Sequence, residues 1–198
     1  MFIQLITGKC TRQDECRQEG DNWLRDIAPG APGWLGGTYG FTDDDLFVAV
    51  VRFASREDAD ANARRPEQGE WWGRMEALFD GPVEFHDCDD VTVMMDGGSD
   101  AAGFVQVIRG RVTDADSLRA MMTEDAEMLH EARPDILGAT LAIEADGTFV
   151  ETIAFSDEAS ARRGEQQEMP DDVRQRLEGS MTDVSYLDLH QPWFASHR

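Results

Sequence analysis

The sequence predicts an α+β chain built from two tandem copies of one βαββαβ unit, and three observations predict it. The first is a repeat. Shifted by 102 positions, the chain aligns Phe2 with Phe104, Gln4 with Gln106, Gly8 with Gly110, Gly36 with Gly138, Phe47 with Phe149 and Phe53 with Phe155. Self-similarity at a fixed period is to be recognised before any other fold assignment, and this period is the size of a domain. The second is that both halves carry the same succession of strand and helix signals. The third is the small-residue stretch DGGSDAAG at 96–103, which reads as a joint between them.

Each half justifies its elements in the same order. Residues 2–9 and 104–111 alternate around β-branched and aromatic residues, as strands do. Residues 12–28 and 114–132 place apolar residues at helical spacing, Cys16, Trp23 and Ile27 in one and Leu118, Met122 and Leu129 in the other. WLGGTYGF and LFVAVVRFA flank TDDD, while LGATLAI and TFVETIAFS flank EADG, so a hairpin with an Asp- or Gly-rich turn follows. Ser55 with Asp58 resembles a capping box, and Ser156 or Asp157 supplies the corresponding start for a second helix. That helix breaks at Pro66 or Pro170 and precedes a last strand at 83–89 or 184–189.

This order is that of a ferredoxin-like repeat, in which helices cover one face of a four-stranded antiparallel sheet and leave the other bare. The second copy can cover the bare face, so the expected architecture is two antiparallel sheets packed face to face as a barrel within one chain. The expected boundaries are residues 1–95 for the first repeat, 96–103 for the linker and 104–198 for the second repeat. Strand parity puts Ile3 and Leu5 on one face and Phe2, Gln4 and Ile6 on the other. If the first set meets the helices, Gln4 and Gln106 look into the interface between the sheets.

Bulk properties exclude several function classes. Forty acidic residues against 18 basic ones give a net charge of −22, and 21 of the acidic residues fall in the first 100 positions, so no acidic tail explains it. Such a field repels phosphate backbones and anionic lipid, which argues against nucleic-acid and membrane partners. Lys9 is the only lysine. No apolar run reaches membrane-spanning length and no basic leader precedes the first strand, so a soluble, cytoplasmic protein is expected. Cys10, Cys16 and Cys88 are odd in number and form no C-x-x-C, as ordinary reduced thiols would be, and no metal site is read from the spacing of the four histidines.

The duplication also separates fold from function. Residues matched between halves serve the shared fold most simply, whereas chemically unusual residues present in one half are candidates for a site. Gln4 and Gln106 are matched, yet each sits in an apolar strand and must find hydrogen-bond partners, either in a ligand or in a structural pair that bond each other or backbone. RPEQGEWWGRM at 65–75 has QEMPDDVRQRL as its counterpart. Adjacent Trp71 and Trp72 point about 100° apart on a helix, so one leaves the core stripe and either packs under a loop or walls a pocket near Trp34, Arg65 and Glu70. His86, matched by Leu187, is the histidine expected within a strand and near Gln4, a candidate general base or haem or metal ligand or else a satisfied or half-exposed structural residue. His130 flanks its helix stripe, and His190 and His197 belong to the terminal segment. Arg52 and Glu151 sit on third strands where the other half has Ala154 and Ala49, and parity places them on opposite faces. No nucleophile elbow, phosphate loop or dinucleotide fingerprint is present.

The duplication, together with APGWLG, RPEQGEWW, FDGPVEFHD and AGFVQVIRG, resembles uncharacterised actinobacterial proteins of the dimeric α/β-barrel superfamily. The resemblance implies kinship with antibiotic-biosynthesis monooxygenases, haem-degrading monooxygenases and chlorite dismutase-like proteins, without fixing a reaction. Haem-degrading members use an asparagine on the first strand with a tryptophan and a histidine on or after the second helix. Here those places hold Gln4, Trp71 and Trp72, and His86 falls on the last strand.

The leading expectation is therefore a monomeric or weakly dimeric small-molecule-binding protein, monooxygenase-like and independent of cofactor, acting on an apolar or aromatic metabolite. Trp34, Trp71 and Trp72 would form an apolar wall, Gln4, Gln106 and Arg52 would meet polar groups, and His86 would transfer protons. The alternatives are a non-catalytic ligand- or protein-binding module with a filled barrel, and a haem-binding variant.

Overall fold

The structure, a computed structural model, describes residues 1–98, 100–124 and 126–196, with the backbone only at 96, 127 and 128. Ser99, within the expected linker, and His197 lie outside the described residues. The fold class is α+β: two antiparallel five-stranded sheets with helices, each sheet holding the four strands of one repeat and a fifth strand that follows the other repeat in sequence.

The first repeat runs β1 (Phe2–Lys9), α1 (Gln13–Asp26), β2 (Trp34–Phe41), β3 (Leu46–Phe53), α2 (Arg56–Ala63), α3 (Pro66–Glu76) and β4 (Glu84–Cys88). It is followed by β5 (Asp90–Met94). The second runs β6 (Phe104–Val112), α4 (Ala115–Thr123), α5 (Ala126–Ala132), β7 (Ile136–Ile143), β8 (Thr148–Phe155), α6 (Glu158–Glu165), α7 (Asp171–Ser180) and β9 (Met181–Leu189), followed by β10 (Trp193–Ser196). The helix starts are where the local chemistry puts them. Ser55 and Asp157 accept hydrogen bonds from the backbone N–H groups of Asp58 and Ser160, and Pro66 opens α3, where its missing N–H costs nothing.

The strand orders are β10-β2-β3-β1-β4 and β5-β7-β8-β6-β9. Each is the four-stranded ferredoxin-like sheet with one strand added at the β2 or β7 edge. The additions correct the expected boundaries. Asp90–Met94, assigned by sequence to the first repeat, pairs with β7, and Trp193–Ser196, assigned to the second, pairs with β2. The compact units are accordingly Met1–Asp89 with Trp193–Arg198, and Asp90–Pro192. The physical reason is edge pairing: a short alternating segment directly after each repeat satisfies its backbone groups on an open edge.

Parity runs opposite to the expectation for Gln4. Phe2 packs with Trp23, Ile27 and Phe53, and Ile6 with Cys16, Phe47 and Met75, so the Phe2–Gln4–Ile6 face lies under the helices. The other face of the same sheet carries Ile3, Leu5, Val48 and Val50, all buried. In the second unit Phe104, Phe149 and Phe155 pack with Leu118 and Met122 on the helix-covered face, and Gln106 shares that face by alternation.

Candidate functional site

The first unit holds a partly enclosed cavity of about 90 Å³ between the helix-covered face of its sheet and helices α1 and α3. The strands contribute Gln4, Ile6, Tyr39, Ala49 and Val51 to the floor, with Phe47 and Phe53 at its ends. Helix α1 contributes Cys16, Gly20, Trp23 and Leu24, while Asn62, Gln68, Trp71, Trp72 and Met75 close the opposite side, and Trp193 of β10 completes the edge. Aromatic side chains dominate this wall, which gives large apolar area at low conformational cost and few hydrogen-bonding groups.

Both adjacent tryptophans line the cavity. Helix α3 lies over the sheet so that Trp71 and Trp72 flank its sheet-facing line, with ring centroids 5.8 Å apart. Trp71 donates its indole N–H to the Glu19 carbonyl at 2.8 Å, and Trp72 meets Phe85 edge-on at 5.2 Å. Trp34 does not line the cavity. It is buried behind Trp23 in a T-shaped contact of 5.1 Å and so holds a wall residue in place.

Gln4 lines the floor and donates to Asp87 Oδ1 at 2.8 Å, its neighbour on β4. Gln106 does the same with Asp188 Oδ1 at 2.9 Å. The matched glutamines thus bond a carboxylate within their own sheet. Arg56 reaches Asp87 and lies 4.7 Å over the Phe2 ring, whereas Arg162 reaches Asp188 and lies 5.1 Å over Phe104. A Gln–Asp–Arg–Phe cluster is therefore repeated, although its arginine comes from the first turn of α2 in one unit and from the middle of α6 in the other.

The structure does not bring His86 or Arg52 to the cavity. His86 pairs with Leu5, on the sheet face opposite Gln4, and its Nε2 stands 3.7 Å from Glu84 Oε2. Gln4 faces Asp87 instead, because neighbouring residues of β4 point to opposite sides. Arg52 pairs with Ile3 on that same far face, while Glu151 shares the helix-covered face of its own sheet, so the two are on opposite faces as parity requires. His130 is exposed, and His190 Nδ1 stands 2.7 Å from Glu158 Oε2. Cys88 pairs with Ile3, far along the strand from Cys10, and all three cysteines are thiols.

Two ionisable groups line the cavity. Burial pushes the Cys16 thiol well above its ordinary pKa, and burial likewise raises the Tyr39 phenol, so both stay protonated near neutrality. A haem does not fit this site: no histidine lines it, and its one thiol, Cys16, is kept protonated by burial and so offers no thiolate ligand. Among the described residues no group of three or more His, Cys, Asp or Glu side chains converges as metal ligands would, and no helix is long and apolar enough to cross a membrane.

Sequence reasoning missed Tyr39, Asn62, Gln68 and Trp193 as site residues. Gln68 was visible in the unmatched RPEQGEWWGRM stretch, where Glu70 drew attention instead. The signal for Trp193 is positional, since WFAS follows the second repeat as DVTVM follows the first.

No family profile and no curated protein matches the sequence. Solved structures do share the fold. A "putative monooxygenase" of Lactobacillus acidophilus NCFM superposes with a TM-score of 0.76 at 11% identity, covering 98% of this chain and 95% of its own. An anthrone oxidase-like protein reaches 0.68 at 11%, covering 98% and 92%. A ferredoxin-fold protein of Listeria monocytogenes 4b F2365, described as related to antibiotic biosynthesis monooxygenases, reaches 0.55 at 10%, covering 96% and 94%. At such identities the likeness establishes the tandem ferredoxin-like fold, and nothing about the reaction.

Proposed function

We propose that the first unit binds a small aromatic molecule in its cavity and oxygenates it without a bound cofactor. The observation that carries this reading is the cavity itself, walled by Trp23, Trp71, Trp72, Trp193, Tyr39 and Phe47 over a floor with one glutamine. The monooxygenase names of proteins sharing the fold support the reaction class. In the balanced form of this chemistry an activated methylene gains one oxygen atom of dioxygen and releases water, CH2 + O2 giving C=O + H2O. The substrate supplies the electrons and the protein supplies binding, orientation and a water-poor surrounding.

Anthrone is the probe, chosen because its methylene is activated and its product, anthraquinone, is coloured differently. Dioxygen uptake equal to anthraquinone formed, above the uncatalysed rate and without added cofactor, is the expected result. A second reading, binding without chemistry, is favoured by the protonated state of Cys16 and Tyr39, which leaves the wall without an ionised base. Quenching of tryptophan fluorescence by anthrone without dioxygen uptake selects that second reading. Absence of both signals overturns the cavity as a ligand site.

A further inference from the structure

The one glutamine of α3 in the cavity wall, Gln68, has an amide whose orientation is fixed by its neighbours. Its Oε1 accepts from Trp23 Nε1 at 2.7 Å and from Asn62 Nδ2 at 3.2 Å. An indole N–H can only donate, so the oxygen must face Trp23. The Asn62 amide is fixed from its other side: Oδ1 accepts from Arg65 Nη1 at 3.0 Å, and a guanidinium cannot accept. Arg65 is itself anchored by Glu67 at 2.8 Å and by the Ile27 carbonyl at 3.2 Å. Donor-only groups therefore stand at both ends of the chain, and turning either amide over would set donor against donor or acceptor against nothing.

The consequence falls on the remaining group. With its oxygen twice engaged, Gln68 presents its NH2 as a donor, and among the described residues no protein acceptor takes it up. We propose that Gln68 Nε2 is the specificity-determining donor of the cavity, oriented by the positioning residues Arg65, Asn62 and Trp23, and that it selects ligands with a carbonyl or phenolic oxygen on an aromatic body. This rests on the cavity being a ligand site. Asn62 is buried and Gln68 is half-buried, so the oxygen side of the relay is held within the protein while the Gln68 NH2 keeps access to solvent, and a ligand acceptor takes the place of water there.

The test compares acetophenone with α-methylstyrene, in which a CH2 group replaces the carbonyl oxygen at nearly constant shape, by titration calorimetry on the whole chain. The wild-type protein is expected to bind the ketone roughly tenfold more tightly. Gln68→Glu keeps both acceptor positions for Trp23 and Asn62 and removes only the donor. It should abolish the preference for the ketone while leaving α-methylstyrene binding within about twofold. Asn62→Asp keeps the contact to Arg65 but offers Gln68 an acceptor in place of a donor, drawing its NH2 away from the ligand, and should erode the same ratio. A purely structural role would weaken both probes in parallel and leave the ratio unchanged, which overturns the assignment. Equal binding of the two probes by the wild type overturns it without any variant. Failure of both probes to bind removes the cavity reading as well, and so is told apart from failure of the donor alone.

Discussion

The two units share one fold and differ in what fills the space beneath their helices. In the frame of the repeat, Cys16, Gly20 and Tyr39 of the first unit become Leu118, Met122 and Leu141 of the second, and these larger or branched aliphatic groups lie in its buried core. Asn62 becomes Gly164, beside which the Arg133 guanidinium lies so close that an added Cβ would come within 2.0 Å of it. Arg133 is held there by Asp135 at 2.8 Å, so an ion pair stands where the first unit keeps its Asn62–Gln68 relay. Gln68 itself becomes Pro170, and Trp71 and Trp72 become Val173 and Arg174. One copy thus retains aliphatic packing and the other an aromatic wall with directed amides. Duplication lets the scaffold be kept in both while the site is built in one.

The fifth strands sharpen the contrast most. At the edge beside Tyr39 the first unit receives Trp193, which stacks on Tyr39 at 5.8 Å, touches Phe41 and Phe47, and carries Arg17 at 4.4 Å over its ring. At the corresponding edge, Thr92 pairs with Leu141. Trp193→Ala should therefore cost about 3 kcal/mol of stability and open the cavity at one end, whereas Thr92→Ala should cost under about 1 kcal/mol. Chemical denaturation of both variants checks the pair of values, and equal losses would mean that Trp193 is no more than an edge residue.

Ala49 and Glu151 form the second contrast, on the central β3 and β8 strands. Ala49 lies in the first cavity's floor, while Glu151 stands between Ile108 and Leu141 under the helices of the second unit, where burial pushes its carboxyl up to about 7. A raised carboxyl pKa means that the folded state holds a proton that the unfolded state releases from about pH 4.5 upward. Stability from this group is intact below about pH 4.5, falls as pH rises towards 7, and is lower by about 3 kcal/mol beyond it. Glu151→Gln should remove that loss, raising the melting temperature at pH 8 and leaving it unchanged at pH 4. A variant equally stabilised at both pH values would show that packing, and not ionisation, is the cause.

Much of the fold was legible because the chain states it twice. The strand alternation of Phe2–Lys9 reappears at Phe104–Val112, and the Ser55 and Asp157 caps mark the same helix start in both copies. The exchange of β5 and β10 was not legible from the repeat, since a short alternating segment reads alike whether it pairs with its own sheet or with another. The site was half legible. Trp71 and Trp72 stood out as unmatched, but which face of β1 meets the helices is a tertiary fact, and assigning it the other way turned Gln4 toward the interface between the sheets and grouped it with His86. Gln68 escaped because an amide becomes informative only when its partners are known, and Trp23 of α1 and Asn62 of α2 converge on it from separate elements, with Arg65 bonded to Asn62 behind them.

Gly37 and Tyr39 give the finest distinction between the units. The Tyr39 ring lies back along β2 over Gly37, so that a Cβ at Gly37 would sit 2.2 Å from the phenolic oxygen. In the second unit the same two positions hold Ala139 and Leu141, both buried in the core, where the shorter leucine leaves room for the methyl group. Gly37→Ala should consequently cost about 1–3 kcal/mol through overpacking and push Tyr39 off the cavity wall. The loss belongs to the pair and not to the backbone, because Gly37 has no positive φ and extended alanine is tolerated at its counterpart. Adding Tyr39→Leu should then restore most of the stability, giving a coupling energy of about 1–2 kcal/mol in a double-mutant cycle. Additive losses would mean that Gly37 is required by something other than the tyrosine, and that the aromatic wall did not arise by exchanging an Ala–Leu pair for Gly–Tyr.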